Sequence, residues 1–215
     1  MGTIYTEMND FSILVSKILQ IYPDEKLDLK FKNPFELLVA SILAAQSKDE
    51  VVNSCTENLF QKFDSPEKFS KLNPEDLKPY ISRINFWYKK AKTIIDASRL
   101  IQKNYGGNVP DSYEELIKIK GVGSKTANMI LGAAFGKPAV ITDTHVQRVS
   151  KRLGIVPQDA EPLEIEETIK KIVPEENLTK FSLALMRHGK KICHAKKPNC
   201  SACDIKNYCE FFRSQ

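Results

Sequence analysis

A lysine at one helix start, an aspartate at another and four crowded cysteines are the groups in this sequence with chemistry to offer. Lys125 stands in "KGVGSKTANMI", residues 120 to 130, directly behind Gly121 and Gly123. A helix N-terminus is partly positive and disfavours an ammonium, so a cation there needs a reason. One reason is a phosphate within reach. The other is that a lysine able to lose its proton is a nucleophile. Free lysine, with a pKa of about 10.4, is almost wholly protonated at neutral pH. The helix start and an expected partial burial would both favour the neutral amine. Asp143, in "ITDTHVQRVSKRLG", precedes helical apolar spacing at Val146, Val149 and Leu153. It is expected to cap that helix, and a carboxylate there could also offset a positive charge forming beside Lys125.

Cys193, Cys200, Cys203 and Cys209 fall within the last 23 residues, spaced C-x6-C-x2-C-x5-C. Soft thiolates so close in sequence can wrap a metal centre. Two disulfides would be the alternative in an oxidising compartment. Zinc sites usually pair their cysteines in two short knuckles, and only Cys200 and Cys203 form one. Spacing alone therefore favours an iron–sulfur cluster over zinc only modestly. Cys55 lies apart on an apolar helix face and reads as core. Around Cys193 runs "RHGKKICHAKK", with five Lys or Arg, no acid, and two of the three histidines. Such a run is commonly a solvated face. A loop braced by metal would favour phosphate contact over that reading, with Lys196 and Lys197 the best candidates.

The elements that must position these groups read as helices. Asn33-Pro34 with Glu36 supplies an N-cap, a first-turn proline and a capping acid. Ser47 with Glu50 and Asp111 with Glu114 repeat the box, and Ser65-Pro66 and Asn73-Pro74 mark further starts. Phe11, Leu14, Ile18 and Ile21 share one helical face; Val52, Cys55 and Leu59 share another. "PFELLVASILAA" is apolar nearly all round and is expected at a centre. "AVI", 139 to 141, is the only strand-like run and is short. The fold class is all-α, without evident repeats or low-complexity tracts.

"GVGSKT" is not a nucleotide P-loop, which needs glycine directly before the lysine and another five positions earlier. Ser124 and Ile119 stand at those places. A helix-hairpin-helix fits instead. "SYEELIKI" is its first helix, Gly121 and Gly123 its tight turn, and "SKTANMILGAAF" its second helix, with Ala127, Ile130, Leu131 and Ala134 inward. Free N–H groups at such a turn can take a DNA backbone phosphate, although an ordinary glycine turn would look the same.

The whole chain sets outer bounds. Its 215 residues suit one globular unit or two small lobes. That length can bury a core without disulfides. With 32 basic and 27 acidic residues the net charge is +5, a weak hint of a polyanion partner. No apolar run is long enough to span a membrane, and "MGTIYTEMND" lacks a secretory pattern. An intracellular, cytoplasmic protein associated with DNA is expected.

At these motifs the sequence resembles the endonuclease III family of helix-hairpin-helix DNA glycosylases. "NPFELLVASILAAQSKD", "GVGSKTANMILGAAFGKP", "TDTHVQRVSKRLG" and the four-cysteine tail occur in family order along nearly the whole chain. The resemblance implies two all-α lobes. One, 27 to 137, is a six-helix barrel carrying the hairpin. The other, 1 to 26 plus 138 to 215, carries a [4Fe-4S] cluster on Cys193, Cys200, Cys203 and Cys209. DNA lies across the mouth between them. It also implies Lys125 as nucleophile, Asp143 as essential carboxylate and Gln46 as the residue filling the space of a flipped nucleotide, with Asp49 a weaker contact in the same turn. The family's wedge maps onto Phe86, where relatives often carry leucine, with Trp87 next to it. Lys120 stands where relatives often have proline.

The implied activity is bifunctional. The enzyme would remove damaged bases, by family default oxidised pyrimidines, through a lysine Schiff base, and cleave 3′ to the site by β-elimination. Its partner would be double-stranded DNA holding a damaged base or abasic site, met by a monomer with no membrane attachment. A monofunctional mismatch glycosylase is the runner-up, against which Lys125 argues. A non-catalytic, metal-braced DNA-binding module is the rival of another class.

Overall fold

The computed structural model describes residues 2–215, with side chains from residue 11 onward. In chain order the helices are α1 (Gly2–Ile21), α2 (Pro34–Ala44), α3 (Asp49–Lys62), α4 (Pro66–Ser70), α5 (Pro74–Ile81), α6 (Trp87–Tyr105), α7 (Tyr113–Leu116), α8 (Ser124–Ala134), α9 (Thr144–Leu153), α10 (Pro162–Ile172), α11 (Leu178–Lys191) and α12 (Glu210–Arg213). No strand occurs among the described residues, so the class is all-α. The chain divides into two compact units, Leu27–Gly136 and Met1–Lys26 with Lys137–Gln215.

In the Leu27–Gly136 unit, α2 is buried continuously from Phe35 to Leu43, as its all-round apolar sequence demands. The Asn33 side chain accepts from Glu36 N at 2.9 Å, and Glu36 reaches back to Lys32 N at 2.7 Å. Ser65 accepts from Lys68 N, and Asp76 accepts from Asn73 N at 2.8 Å, so both cap-proline pairs start helices. Two expected caps are corrected. Lys48, not Ser47, precedes α3 and makes no side-chain cap; the Ser47 hydroxyl turns instead toward Lys90. Ser112, not Asp111, caps α7, accepting from Glu115 N.

The first helix of the hairpin is also shorter than expected, ending at Leu116. Lys118, Ile119 and Val122 donate to Glu115, Leu116 and Ile119, tightening the backbone into three-residue turns. That tightening buries Ile119 and Val122 while the chain reverses.

The second unit packs α11 between α1 and α9. Leu14, Val15 and Ile18 of α1, Val146 and Val149 of α9 and Phe181 and Leu185 of α11 are buried. The apolar segment Ala139–Ile141 is buried and extended without pairing in a sheet. Two of its three amides donate to α11 hydroxyls: Ala139 N to Thr179 Oγ1 and Ile141 N to Ser182 Oγ, both at 3.2 Å. This rail delivers the chain to Asp143 at the start of α9.

Candidate active site and metal centre

The hairpin glycines differ in kind. Gly121 sits at φ +91°, and a Cβ there would lie 2.5 Å from Thr93 Cγ2 of α6. Conformation and packing both require glycine at that place. Gly123 has ordinary extended backbone (φ −98°, ψ 179°) and caps α8 without any side-chain hydrogen bond. A Cβ there would meet nothing within 4 Å. The protein itself does not require glycine at 123, and Gly123, Ser124 and Lys125 at the start of α8 are all exposed.

Lys125 is in the first turn of α8 and is exposed, not partly buried as expected. Lys120, at the hairpin entry, forms an exposed ion pair of 3.4 Å with Asp96 of α6. Such a pair contributes little stability.

Two more turns of this unit carry exposed candidates. Gln46 follows α2 with φ 56°, and Phe86 precedes α6 with φ 57°. Phe86 is 67% exposed, whereas Trp87 packs edge-on to Tyr88 and beneath Lys78. Of the two aromatics, Phe86 is the tip. Asp49 is the first residue of α3 and is part-buried.

Asp143 lies in the other unit and caps α9 as expected. His145 N and Val146 N donate to it at 2.9 and 2.8 Å, both onto Oδ1. The cap therefore does not use Oδ2, and a capping aspartate keeps an oxygen for chemistry.

Cys193, Cys200, Cys203 and Cys209 line one cavity, whose wall includes apolar Val149, Leu153, Ile192 and Phe212 as well as Arg152, His188 and Lys206. Burial, with the neighbouring cysteines adding, pushes the Cys203 and Cys209 thiols up. Among the described residues no three or more His, Cys, Asp or Glu side chains are gathered to hold a single metal ion; the four thiols share a cavity wall instead. Two nitrogen-bearing side chains of the cavity wall stand beside the sulfurs. Arg152 Nη1 lies 3.3 Å from Cys193 Sγ, and His188 Nε2 lies 3.7 Å from Cys203 Sγ. His188 is buried, and burial pushes its pKa down to about 4, so the ring is neutral near pH 7. Tyr22 Oη stands 3.1 Å from its Nδ1, and burial foremost raises that phenol to about 12. Cys55 is buried in the Leu27–Gly136 unit, where burial raises its thiol. It is core, as expected.

The structure adds two arginines to the site. Arg148 donates to the carbonyls of Cys193 (3.1 Å) and Gly189 (3.0 Å). Arg152 donates to those of His194 (2.7 Å) and Ala195 (3.0 Å) and stacks on Phe211 at 4.8 Å. Their i, i+4 spacing in "QRVSKRLG" was the available signal. Together they clamp the loop on which Lys196 and Lys197 stand exposed, Lys197 with φ 52°.

Residues 39–175 match the family described as HhH-GPD superfamily base excision DNA repair protein. The chain is similar to endonuclease III of Rickettsia felis, at 42% identity over 94% of this chain and 96% of that one. It is similar to endonuclease III of Bacillus subtilis at 40% identity, covering 94% and 92%. Among solved structures, a trapped endonuclease III–DNA covalent intermediate superposes with TM-score 0.91 at 36% identity, over 96% of this chain and 97% of that one. A thermostable thymine-DNA glycosylase reaches TM-score 0.89 at 23% identity and attests the fold alone. No helix among the described residues is long and apolar enough to cross a membrane. With relatives this similar matched along almost their whole length, the chain belongs to the endonuclease III family of base-excision DNA glycosylases and AP lyases.

Proposed function

We propose that this enzyme uses Lys125 as its amine nucleophile and Asp143 as the carboxylate that offsets positive charge on the sugar. The observation carrying the reading is the hairpin: Gly123 leaves open space at a helix start with no side-chain cap, and exposed Lys125 stands in the first turn. A DNA phosphate held on those N–H groups anchors the strand beside Lys125. The target nucleotide must leave the stack before chemistry, with Gln46 and Phe86 entering the duplex in its place.

Neutral Lys125 Nζ attacks C1′; the C1′–N bond breaks and the base leaves with its electron pair. Opening of the sugar ring gives an imine between Nζ and C1′. Loss of a C2′ proton then expels the 3′ phosphate. Asp143, through an oxygen its cap does not use, favours the oxocarbenium-like transition state. The likeness to a solved endonuclease III trapped as a covalent intermediate with DNA supports the covalent route. Oxidised pyrimidines are the proposed lesions, by resemblance to the family. Lys196 and Lys197 are proposed as phosphate contacts.

The cysteine cavity is proposed to hold a [4Fe-4S] cluster on Cys193, Cys200, Cys203 and Cys209. The donor set fits: four soft sulfurs on one largely apolar cavity, with Arg152 and His188 beside two of them. The cluster supplies a covalent brace to the basic loop, and no step of the excision is assigned to it.

Borohydride trapping on duplex DNA with an oxidised pyrimidine tests the reading. Wild type is expected to form a stable protein–DNA adduct, and Lys125→Gln none. An adduct with Lys125→Gln would place the nucleophile elsewhere, and base release without any adduct would favour the monofunctional runner-up.

A further inference from the structure

Gln46 and Phe86 both have left-handed backbone, which residues other than glycine rarely adopt. Such conformations persist where the surroundings over-determine them, and here the surroundings are specific. Asn85 Nδ2 donates to the carbonyl of Gln46 at 2.9 Å, across 39 residues, tying one turn to the other. Beneath them lies Lys90 of α6, only 8% exposed. Its Nζ donates to the carbonyls of Leu43 (2.8 Å) and Ala45 (2.5 Å) and to Ser47 Oγ (3.3 Å). An ammonium has three N–H donors, and three acceptors meet it. Two are carbonyls at the end of α2, which lack partners within the helix and lie at its negative pole. Ala45 and Ser47 flank Gln46, so these bonds hold the chain on both sides of that residue.

Burying an ammonium is unfavourable, and an apolar side chain of similar length would fill the same space more simply. What the ammonium adds is the geometry of the carbonyls it holds. We propose that Lys90 is a positioning residue for excision: with Asn85 it fixes the Gln46 turn and ties it to the Phe86 turn. The two side chains then meet the duplex as one preformed probe. This rests on reading Gln46 and Phe86 as the residues that enter DNA. Preforming them removes an ordering cost from binding, and Lys90 acts through Gln46, not on the substrate.

The test is a double-mutant cycle in the full chain between Lys90→Met and Gln46→Ala. Two quantities are read. One is single-turnover excision from duplex DNA. The other is fluorescence of 2-aminopurine placed opposite an abasic site, which reports unstacking. Lys90→Met is expected to slow excision by about tenfold or more and to shrink the fluorescence rise. In the Gln46→Ala background it should add less than about twofold. An equal loss in both backgrounds would overturn the proposal while leaving Gln46 as a probe. Wild-type behaviour of Gln46→Ala would refute the probe itself, and the proposal with it. Should Lys90→Met fail to fold, Asn85→Ala, an exposed position, replaces it in the cycle: a smaller loss that vanishes with Gln46→Ala supports the brace, and one that persists overturns it.

Discussion

Alanine at Gly121 and alanine at Gly123 should have opposite consequences, although the two glycines are two residues apart in one turn. At Gly121 the backbone is left-handed, at φ +91°, and a methyl would lie 2.5 Å from Thr93 Cγ2. Left-handed backbone costs an alanine about 1–2 kcal/mol. Forcing an extra methyl group into a packed contact costs about 1–3 kcal/mol more. The sum, about 2–5 kcal/mol, should lower the melting temperature by roughly 4–20 °C for a chain of this size. At Gly123 the backbone is ordinary and the space is open. Alanine is a poorer N-cap than glycine by some tenths of a kcal/mol or more. It also restricts the unfolded chain, which returns about 0.4–1 kcal/mol. These terms nearly cancel, and the melting temperature should move by no more than about 2 °C.

Binding should sort the other way. The open space beside Gly123 is where a phosphate would approach the α8 amides, and a methyl group there holds it off. Gly123→Ala is expected to lose about tenfold or more in affinity for duplex DNA, a loss of about 1.4 kcal/mol. Calorimetry or dichroism melting gives the first quantity, and fluorescence anisotropy with an abasic duplex the second. A melting temperature for Gly123→Ala as low as that for Gly121→Ala would refute the assignment of its space to a ligand. So would wild-type DNA affinity in a stable Gly123→Ala protein.

Other consequences can be measured directly. Purified without oxygen damage, the protein should be yellow-brown and contain iron; zinc without iron would remove the cluster. Replacing both Lys196 and Lys197 with alanine should weaken binding to all sequences about equally and reduce the salt slope by about 1 per lost phosphate contact, and an unchanged slope would make them a solvated face. Asp143→Asn should retain the α9 cap and the melting temperature but lose most of the excision rate, whereas Asp143→Ala should also lose about 1 kcal/mol of stability; full activity in Asp143→Asn would reduce the residue to a cap.

What the sequence disclosed depended on how far each interaction reaches along the chain. Caps closed over three residues were legible at Asn33, Ser65, Asn73 and Asp143, because the donor and acceptor lie in one turn. The all-round apolar run of α2 was legible because burial on every side leaves no polar face to read. The cysteines announced themselves by soft-ligand chemistry and proximity. Ser47 failed for the opposite reason. Its local pattern with Glu50 was that of a capping box, but its hydroxyl accepts from Lys90, 43 residues away. Local rules rank only local partners, and a buried ammonium with three acceptors outweighs one cap. Asp111 gave way to Ser112 by a single residue, within the ordinary play of helix ends.

The exposure of Phe86 follows the same logic. An aromatic beside Trp87 in a loop could pack inward or point out, and composition does not choose. The choice is made by the left-handed backbone at 86, which turns the side chain outward as Trp87 begins α6. That backbone is held in turn by the link from Asn85 to Gln46, 39 residues earlier. Lys90 lies four residues beyond Phe86, one helical turn into α6. One short run, residues 85 to 90, thus supplies an exposed aromatic, the tie to the Gln46 turn and the buried cation under it. The bond from Asn85 to Gln46 links the two turns directly. A substitution in one of them should therefore be read out at both, which is the physical content of treating Gln46 and Phe86 as a single probe.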